Sequence, residues 1–303
     1  MSHVRSVSIG LWVDVGSRDE PEDVAGASHF LEHMLFKGTP SRDAQEIANV
    51  FDAVGGEVNA YSAREHTCFY ARVLDTDLDM AVRTLGDMFA NAALRTDEIE
   101  SERRVVLEEI HMANDVPEDI VHEVFSAAAW PSHALGRPVL GFDRTVGSMS
   151  ADAIRGFYRQ GYVPERLVVA AAGNITHDEV AAIVREVFTE GGDRWIRASP
   201  NTPRFGSGAT YDTRDAEQVH IVWGLEGLPR TDPDRYAMSV MSVLYGGGMS
   251  SRLFQEVREK RGLAYSIYSG EHMYLDAGSL TVYAGAQRDT AAEVMKIVRE
   301  EAA

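Results

Sequence analysis

Apolar residues in the first part of the chain change between two periods, one of two residues and one close to a helical turn. The first period is typical of a half-buried strand and the second of an amphipathic helix. The pattern predicts strands at residues 4–15, 57–62, 66–74 and 167–172, the last being a continuous apolar run expected of a buried strand. It predicts helices at residues 24–36, 41–54, 76–93, 97–114, 118–129, 150–159 and 177–188.

This pattern stops at residues 191–208, where paired glycines, two prolines and no apolar periodicity predict a linker. It then restarts, with strands predicted at 218–225, 264–271 and 278–286 and helices at 233–245, 250–260 and from 289 to the end. The new order of elements echoes residues 4–38 at an offset of roughly 210 residues, as expected of a duplicated domain. We therefore predict a first domain at 1–190 and a second, homologous one at 209–303.

Composition narrows the class of protein. A net charge of −18 argues against a nucleic-acid partner, which needs a basic face. The chain has no stretch of apolar residues long enough for a membrane span. Its one cysteine, Cys68, lies in an apolar strand and is predicted to be a core residue. One cysteine excludes an intramolecular disulfide and fits a reducing compartment, so we expect a cytoplasmic protein.

The candidate chemistry is concentrated in the sequence HFLEHMLFKGT, residues 29–39. On a helix, His29 and His33 are i,i+4 neighbours about 40° apart, so both imidazoles can reach one metal ion. Glu32 stands beside them, where it can contact a metal-bound water without being a ligand. This H-x-x-E-H order is the inverzincin signature. Because such a histidine pair also arises by chance, the interpretation requires a third ligand.

Two glutamates of the predicted helix at 97–114 are candidates for that ligand. Glu102 and Glu109 are seven residues apart and lie within about 20° of each other around the helix axis. Glu108 points elsewhere. Spacing leaves the choice between the two open, and a glutamate-rich surface helix that binds no metal has the same pattern.

Four sequence blocks together resemble the family of pitrilysin, insulysin and the mitochondrial processing peptidase, and most of all its short bacterial members. They are HFLEHMLFKGT at 29–39, GGEVNAYS at 55–62, RRVVLEEI at 103–110 and GGGMSSRLF at 246–254. The resemblance implies that His29, His33 and Glu109 are zinc ligands, one Zn²⁺ per chain, with Glu32 as the general base. It implies that Glu102 supports a ligand from outside the coordination sphere.

The resemblance also implies roles for residues away from the motif. Asn59 and Ala60 match an edge strand that binds extended peptides by β-augmentation. Arg258 and Tyr265 match a pair in the second domain that holds the peptide carbonyl and stabilises the oxyanion. From the residues alone, these four form an ordinary hairpin strand, an exposed helix arginine and a strand tyrosine.

The expected fold is α+β, with two homologous domains that each consist of an antiparallel sheet and helices mainly on one face. The first is expected to be the catalytic zinc-binding domain, whereas the second lacks H-x-x-E-H. The expected function is a zinc-dependent endopeptidase acting on extended peptides or unfolded segments, as a homodimer or with a paralogous subunit. The alternatives are a non-catalytic peptide-binding or scaffold subunit and a metal-free helical protein. Compared with the family, the chain is expected to lack an initial edge strand and most of the last third.

Overall fold

The computed structural model describes residues 1–188 and 202–302, which form helices and antiparallel strands in two compact units. The strands are β1 (Ser6–Val13), β2 (Glu57–Ser62), β3 (Thr67–Leu74), β4 (Leu167–Gly173), β5 (Val219–Glu226), β6 (Ala264–Met273) and β7 (Gly278–Ala286). The helices are α1 (Ala27–Leu35), α2 (Ala44–Asp52), α3 (Leu78–Ala90), α4 (Thr96–Asp115), α5 (Pro117–Ala129), α6 (Asp143–Ser148), α7 (Ala151–Gly161), α8 (His177–Val187), α9 (Arg235–Gly246) and α10 (Ala291–Glu301).

The first unit comprises Met1–His111 and Arg137–Pro200, and the second comprises Met112–Gly136 and Asn201–Ala303. Residues 112–136, which include α5, therefore pack with the later part of the chain. The predicted linker at 191–208 lies outside the described residues up to position 201. Residues 202–208 form neither helix nor strand.

The sheet of the first unit has the order β2-β3-β1-β4, with every neighbouring pair antiparallel. Alternate residues of β1, such as Val7, Ile9 and Leu11, are fully buried and face the helices. Helix α1 joins the same core through Phe30, Leu31, Met34 and Leu35. Because β2 pairs only with β3, it forms one edge of this sheet.

The prediction that residues 167–172 form a buried strand was wrong. In β4, which forms the other edge of the sheet, burial alternates along the strand and Val168 is 62% exposed. Leu167, Val169 and Ala171 pack on the core, whereas Ala170 and Ala172 lie on the open face. A short apolar run has no polar residues to reveal which face meets water, so periodicity alone cannot distinguish the two cases.

The sheet of the second unit has the order β5-β7-β6, again with antiparallel neighbours. In each unit, the third strand along the chain therefore lies between the first and the second. This shared order is what the predicted duplication requires. Along the central strand β7, Val282, Ala284 and Ala286 face α10 and the segment after α9. Tyr283 points to the opposite face, where its ring stacks on His122 of α5. Helix α5 thus covers that second face.

The segment predicted as a helix at 250–260 is mostly a π-helix at Phe254–Glu259. Its wider winding is seen in the hydrogen bond from the Lys260 N–H to the Gln255 carbonyl, at 3.0 Å. The side chain of Arg258 lies over the ring of Tyr265 on β6, with 4.6 Å from the guanidinium carbon to the ring centroid. No helix among the described residues is long and apolar enough to cross a membrane.

Candidate metal centre

Helix α1 presents two imidazoles from adjacent turns. The ring centroids of His29 and His33 are 4.6 Å apart. Phe30 and Leu31 on the same helix are fully buried and Met34 almost so, which anchors the helix in the core. The two histidines lie on a different side of the helix from these core residues, where His29 is 9% exposed and His33 is half-buried.

Helix α4 brings a carboxylate to both imidazoles. One oxygen of Glu109, Oε2, is 3.4 Å from Nε2 of His29 and 3.4 Å from Nε2 of His33. The three ligand atoms all lie within 4.8 Å of one another. In a tetrahedral zinc site with bonds near 2.0–2.1 Å, ligand atoms are roughly 3.3 Å apart. The donor set and its spacing therefore fit Zn²⁺, and two histidines with one carboxylate leave a fourth position for substrate or water.

Glu102 occupies a different place, although it shares a helix face with Glu109. Its Oε1 atom is 2.9 Å from Nδ1 of His33, and its Oε2 atom is 2.5 Å from Nζ of Lys37. The residue is 5% exposed, so these contacts account for an otherwise costly buried carboxylate. A carboxylate on Nδ1 fixes the ring and leaves Nε2 of His33 directed to the metal site.

The local environment holds His29 in the form that binds metals. Burial, together with a smaller contribution from the neighbouring His33, lowers the pKa of His29 to about 4. The imidazole is therefore neutral at pH 7, with a lone pair available for coordination.

Glu32 faces the same site without joining the ligand cluster. Burial raises the pKa of its carboxyl group, and Glu109 adds to the rise, whereas Ser62 and His33 oppose it. Within residues 1–188 and 202–302, its buried Oε2 atom has no hydrogen-bond partner. A raised pKa brings a carboxylate closer to the range in which a general base works at neutral pH.

Comparison with known families shows the family of the chain. The family model described as "Insulinase (Peptidase family M16)" matches residues 2–143, and that described as "Peptidase M16 inactive domain" matches residues 148–303. The chain belongs to peptidase family M16. The boundary between the matches separates the part with H-x-x-E-H from the part without it, which agrees with the sequence resemblance.

M16 relatives match nearly the whole chain. An uncharacterized zinc protease of Mycobacterium leprae is 48% identical over 98% of this chain and 68% of its own length. An uncharacterized zinc protease of Bacillus subtilis is 41% identical over 98% of this chain and 72% of its own length. The crystal structure of a protease from Helicobacter pylori has a TM-score of 0.91 at 22% identity, covering 98% of this chain and 74% of that one. The last match supports the fold.

The other residues implied by the M16 resemblance lie outside the cluster of His29, His33 and Glu109. Asn59 and Ala60 are on the edge strand β2, with the Asn59 side chain exposed and accepting a hydrogen bond from the Ala60 N–H at 2.8 Å. Arg258 and Tyr265 are in the second unit, where they contact each other. Tyr265 is 77% exposed, which leaves its hydroxyl accessible.

Sequence reasoning missed Lys37, which completes the ion pair with Glu102. Helical spacing does not predict this contact, because α1 ends at Leu35 and Lys37 lies in the turn that follows. An ammonium group is also not a zinc ligand, so a search for metal ligands passes over it.

Proposed function

We propose that the chain is a zinc-dependent metalloendopeptidase that hydrolyses extended peptides or unfolded segments. The observation that supports this most directly is the cluster of His29, His33 and Glu109, with the unpartnered Glu32 carboxylate oxygen beside it. The names of the M16 relatives point the same way. A scaffold subunit of the same fold is the alternative, and it would have no need for all four residues.

Each residue has a separate task in this proposal. His29, His33 and Glu109 hold one zinc ion, and Glu102 keeps the His33 ring in its binding orientation through Nδ1. When bound, zinc supplies a Lewis acid that polarises the scissile carbonyl and acidifies water. The carboxylate of Glu32 accepts a proton from the attacking water and later delivers it to the leaving amine.

The edge strand β2 is the proposed peptide-binding element. An extended peptide can add to a free strand edge through main-chain hydrogen bonds, which suits a substrate without folded structure. Asn59 is exposed on this edge and Ala60 is half-buried. Both are therefore proposed to contact substrate.

Metal removal tests the proposed function. We expect the purified full-length protein to contain about one zinc per chain, to cleave members of an unfolded-peptide library, and to lose cleavage on chelation. Added Zn²⁺ should restore it. Metal analysis and mass spectrometry of the digest measure these outcomes. Zinc binding without any cleavage would favour the scaffold alternative, and absence of bound zinc would refute the proposed metal centre.

A second part of the proposal concerns subunit pairing. The metal-site residues belong to the first unit, and Arg258 and Tyr265 belong to the second. We propose a dimer in which the partner subunit's Arg258 and the partner subunit's Tyr265 act on the peptide carbonyl at each zinc site. The alternative is that the Arg258/Tyr265 pair serves the zinc site of its own chain.

Mixing two inactive variants separates these possibilities. If sites are shared, a dimer of one Glu32→Gln chain and one Arg258→Ala chain contains one intact and one doubly defective site. Random exchange should then restore about a quarter of wild-type peptidase activity, because half of the dimers have one working site. Activity assays after verified subunit exchange measure this.

The matched control mixes Glu32→Gln with Glu109→Gln, two variants of the same unit. This mixture should remain inactive, because both sites of every heterodimer contain a defect. If the first mixture is equally inactive despite exchange, the shared-site model is wrong.

A further inference from the structure

The helix that bears the metal-site histidines has no capping side chain at its own first residues. Gly26 precedes α1 with a φ of +100°, in the left-handed region that favours glycine. The first N–H groups of a helix have no partner within the helix. Here Glu20, six residues before Gly26, supplies acceptors. Its Oε2 atom accepts from the Gly26 N–H and its Oε1 atom from the Ser28 N–H, each at 2.7 Å.

Glu20 is enclosed by protein, with 4% of its surface exposed. Its main-chain carbonyl accepts a hydrogen bond from the guanidinium of Arg137 at 2.6 Å. Burial raises the pKa of Glu20 to about 7, and the N–H groups of Ser28 and Gly26 act in the opposite direction. Because both carboxylate oxygens accept hydrogen bonds, the geometry suits the charged group, which the positive end of the helix dipole also favours.

The chain around this cap is tightly constrained. The hydroxyl of Thr145 donates to the carbonyl of Ala25 at 2.7 Å. A side chain at Gly141 would bring a Cβ atom to 2.4 Å from the same carbonyl, and one at Gly26 would come within 2.7 Å of the Leu140 carbonyl. The start of α1 therefore has little freedom to shift while these contacts hold.

We propose that Glu20 is a positioning residue for the metal site, fixing the first turn of α1 and thereby the direction of the His29 and His33 imidazoles. His29 directly follows Ser28, whose N–H group Glu20 holds, so it lies in the turn that would fray first. His33 follows one turn later. This inference rests on the proposed zinc-binding function.

The substitution Glu20→Gln tests the role at nearly constant side-chain volume. An amide has one acceptor oxygen, so its NH₂ group would face the N–H of either Gly26 or Ser28. We expect zinc to bind about 10- to 100-fold more weakly, the range typical of groups that orient metal ligands. Competition with a chelator measures the affinity. The absorption spectrum of the Co²⁺-substituted protein should also change, because it reports ligand geometry.

Asp75→Asn provides a matched control for general loss of stability. The Asp75 carboxylate also serves as a structural acceptor, from Arg5 and Asn174, and it contacts neither α1 nor the metal site in the described structure. Unfolding of the metal-free variants is measured in parallel. The control should retain wild-type zinc affinity and an unchanged Co²⁺ spectrum, whatever its effect on stability.

Arg137→Met provides a milder variant, because it leaves the Glu20 carboxylate in place and removes the hydrogen bond to the Glu20 carbonyl together with a positive charge that favours the ionised carboxylate. It should weaken zinc binding in the same direction, by a smaller factor. Wild-type zinc affinity and a wild-type Co²⁺ spectrum in Glu20→Gln would overturn the positioning role. If Glu20→Gln does not fold, wild-type zinc affinity and a wild-type Co²⁺ spectrum in Arg137→Met would overturn it instead. If the wild-type protein itself binds no zinc, the proposed function fails together with this inference.

Discussion

Replacement of Glu32 by glutamine is expected to abolish peptide hydrolysis while leaving zinc bound. Glu32 lies beside the ligand cluster but does not belong to it, so an isosteric amide should not disturb coordination. An amide cannot accept a proton from water, and loss of a general base typically lowers the rate by about 10²- to 10⁴-fold. Peptidase assays and zinc analysis on the same preparation measure both quantities.

His29→Ala is the contrasting variant, because it removes a proposed ligand and should lose zinc and activity together. The two variants therefore separate the proton-transfer role from the metal-binding role. Cleavage at the wild-type rate by zinc-loaded Glu32→Gln would show that another group is the base. Loss of zinc from Glu32→Gln would instead imply that Glu32 contributes to coordination.

Much of the fold could be predicted from local patterns in the sequence. Residues 57–62 and 278–286 were predicted as strands with the bounds now seen for β2 and β7. Their ends are marked by glycine or by the change in apolar period. The histidine pair was also accessible, because the i,i+4 spacing on a helix by itself puts two side chains on one face. Cys68 is buried, as predicted.

Features that depend on tertiary packing could not be predicted from the sequence. The helix containing residues 118–129 looks like any other amphipathic helix, yet α5 packs with the second unit. Capping by Glu20 depends on the path of the chain between residues 20 and 26, and no short sequence pattern specifies it. The choice between Glu102 and Glu109 was open for the same reason. Two residues on one helix face are equivalent until the neighbouring helix is placed.

The structure now distinguishes these two glutamates, and their substitution should have unequal effects. One carboxylate oxygen of Glu109 lies 3.4 Å from the Nε2 atoms of both histidines. Glu102 instead contacts Nδ1 of His33 and the ammonium group of Lys37. Glu109→Gln replaces a proposed charged ligand with a neutral amide and should leave little bound zinc. Glu102→Gln keeps all three proposed ligands and should weaken zinc binding by about 10- to 100-fold.

The exposed neighbour Glu108 offers a matched control on the same helix. Glu108→Gln removes the same charge one residue away and should leave zinc affinity at the wild-type level, because its side chain faces solvent. Zinc dissociation constants for the three variants, measured at one pH by chelator competition, give the ranking directly. Equal affinities for Glu102→Gln and Glu109→Gln would contradict the assignment of Glu109 as a ligand and Glu102 as its support. If Glu108→Gln loses as much zinc affinity as Glu102→Gln, the loss in Glu102→Gln is an effect of net charge, because Glu108 does not contact His33.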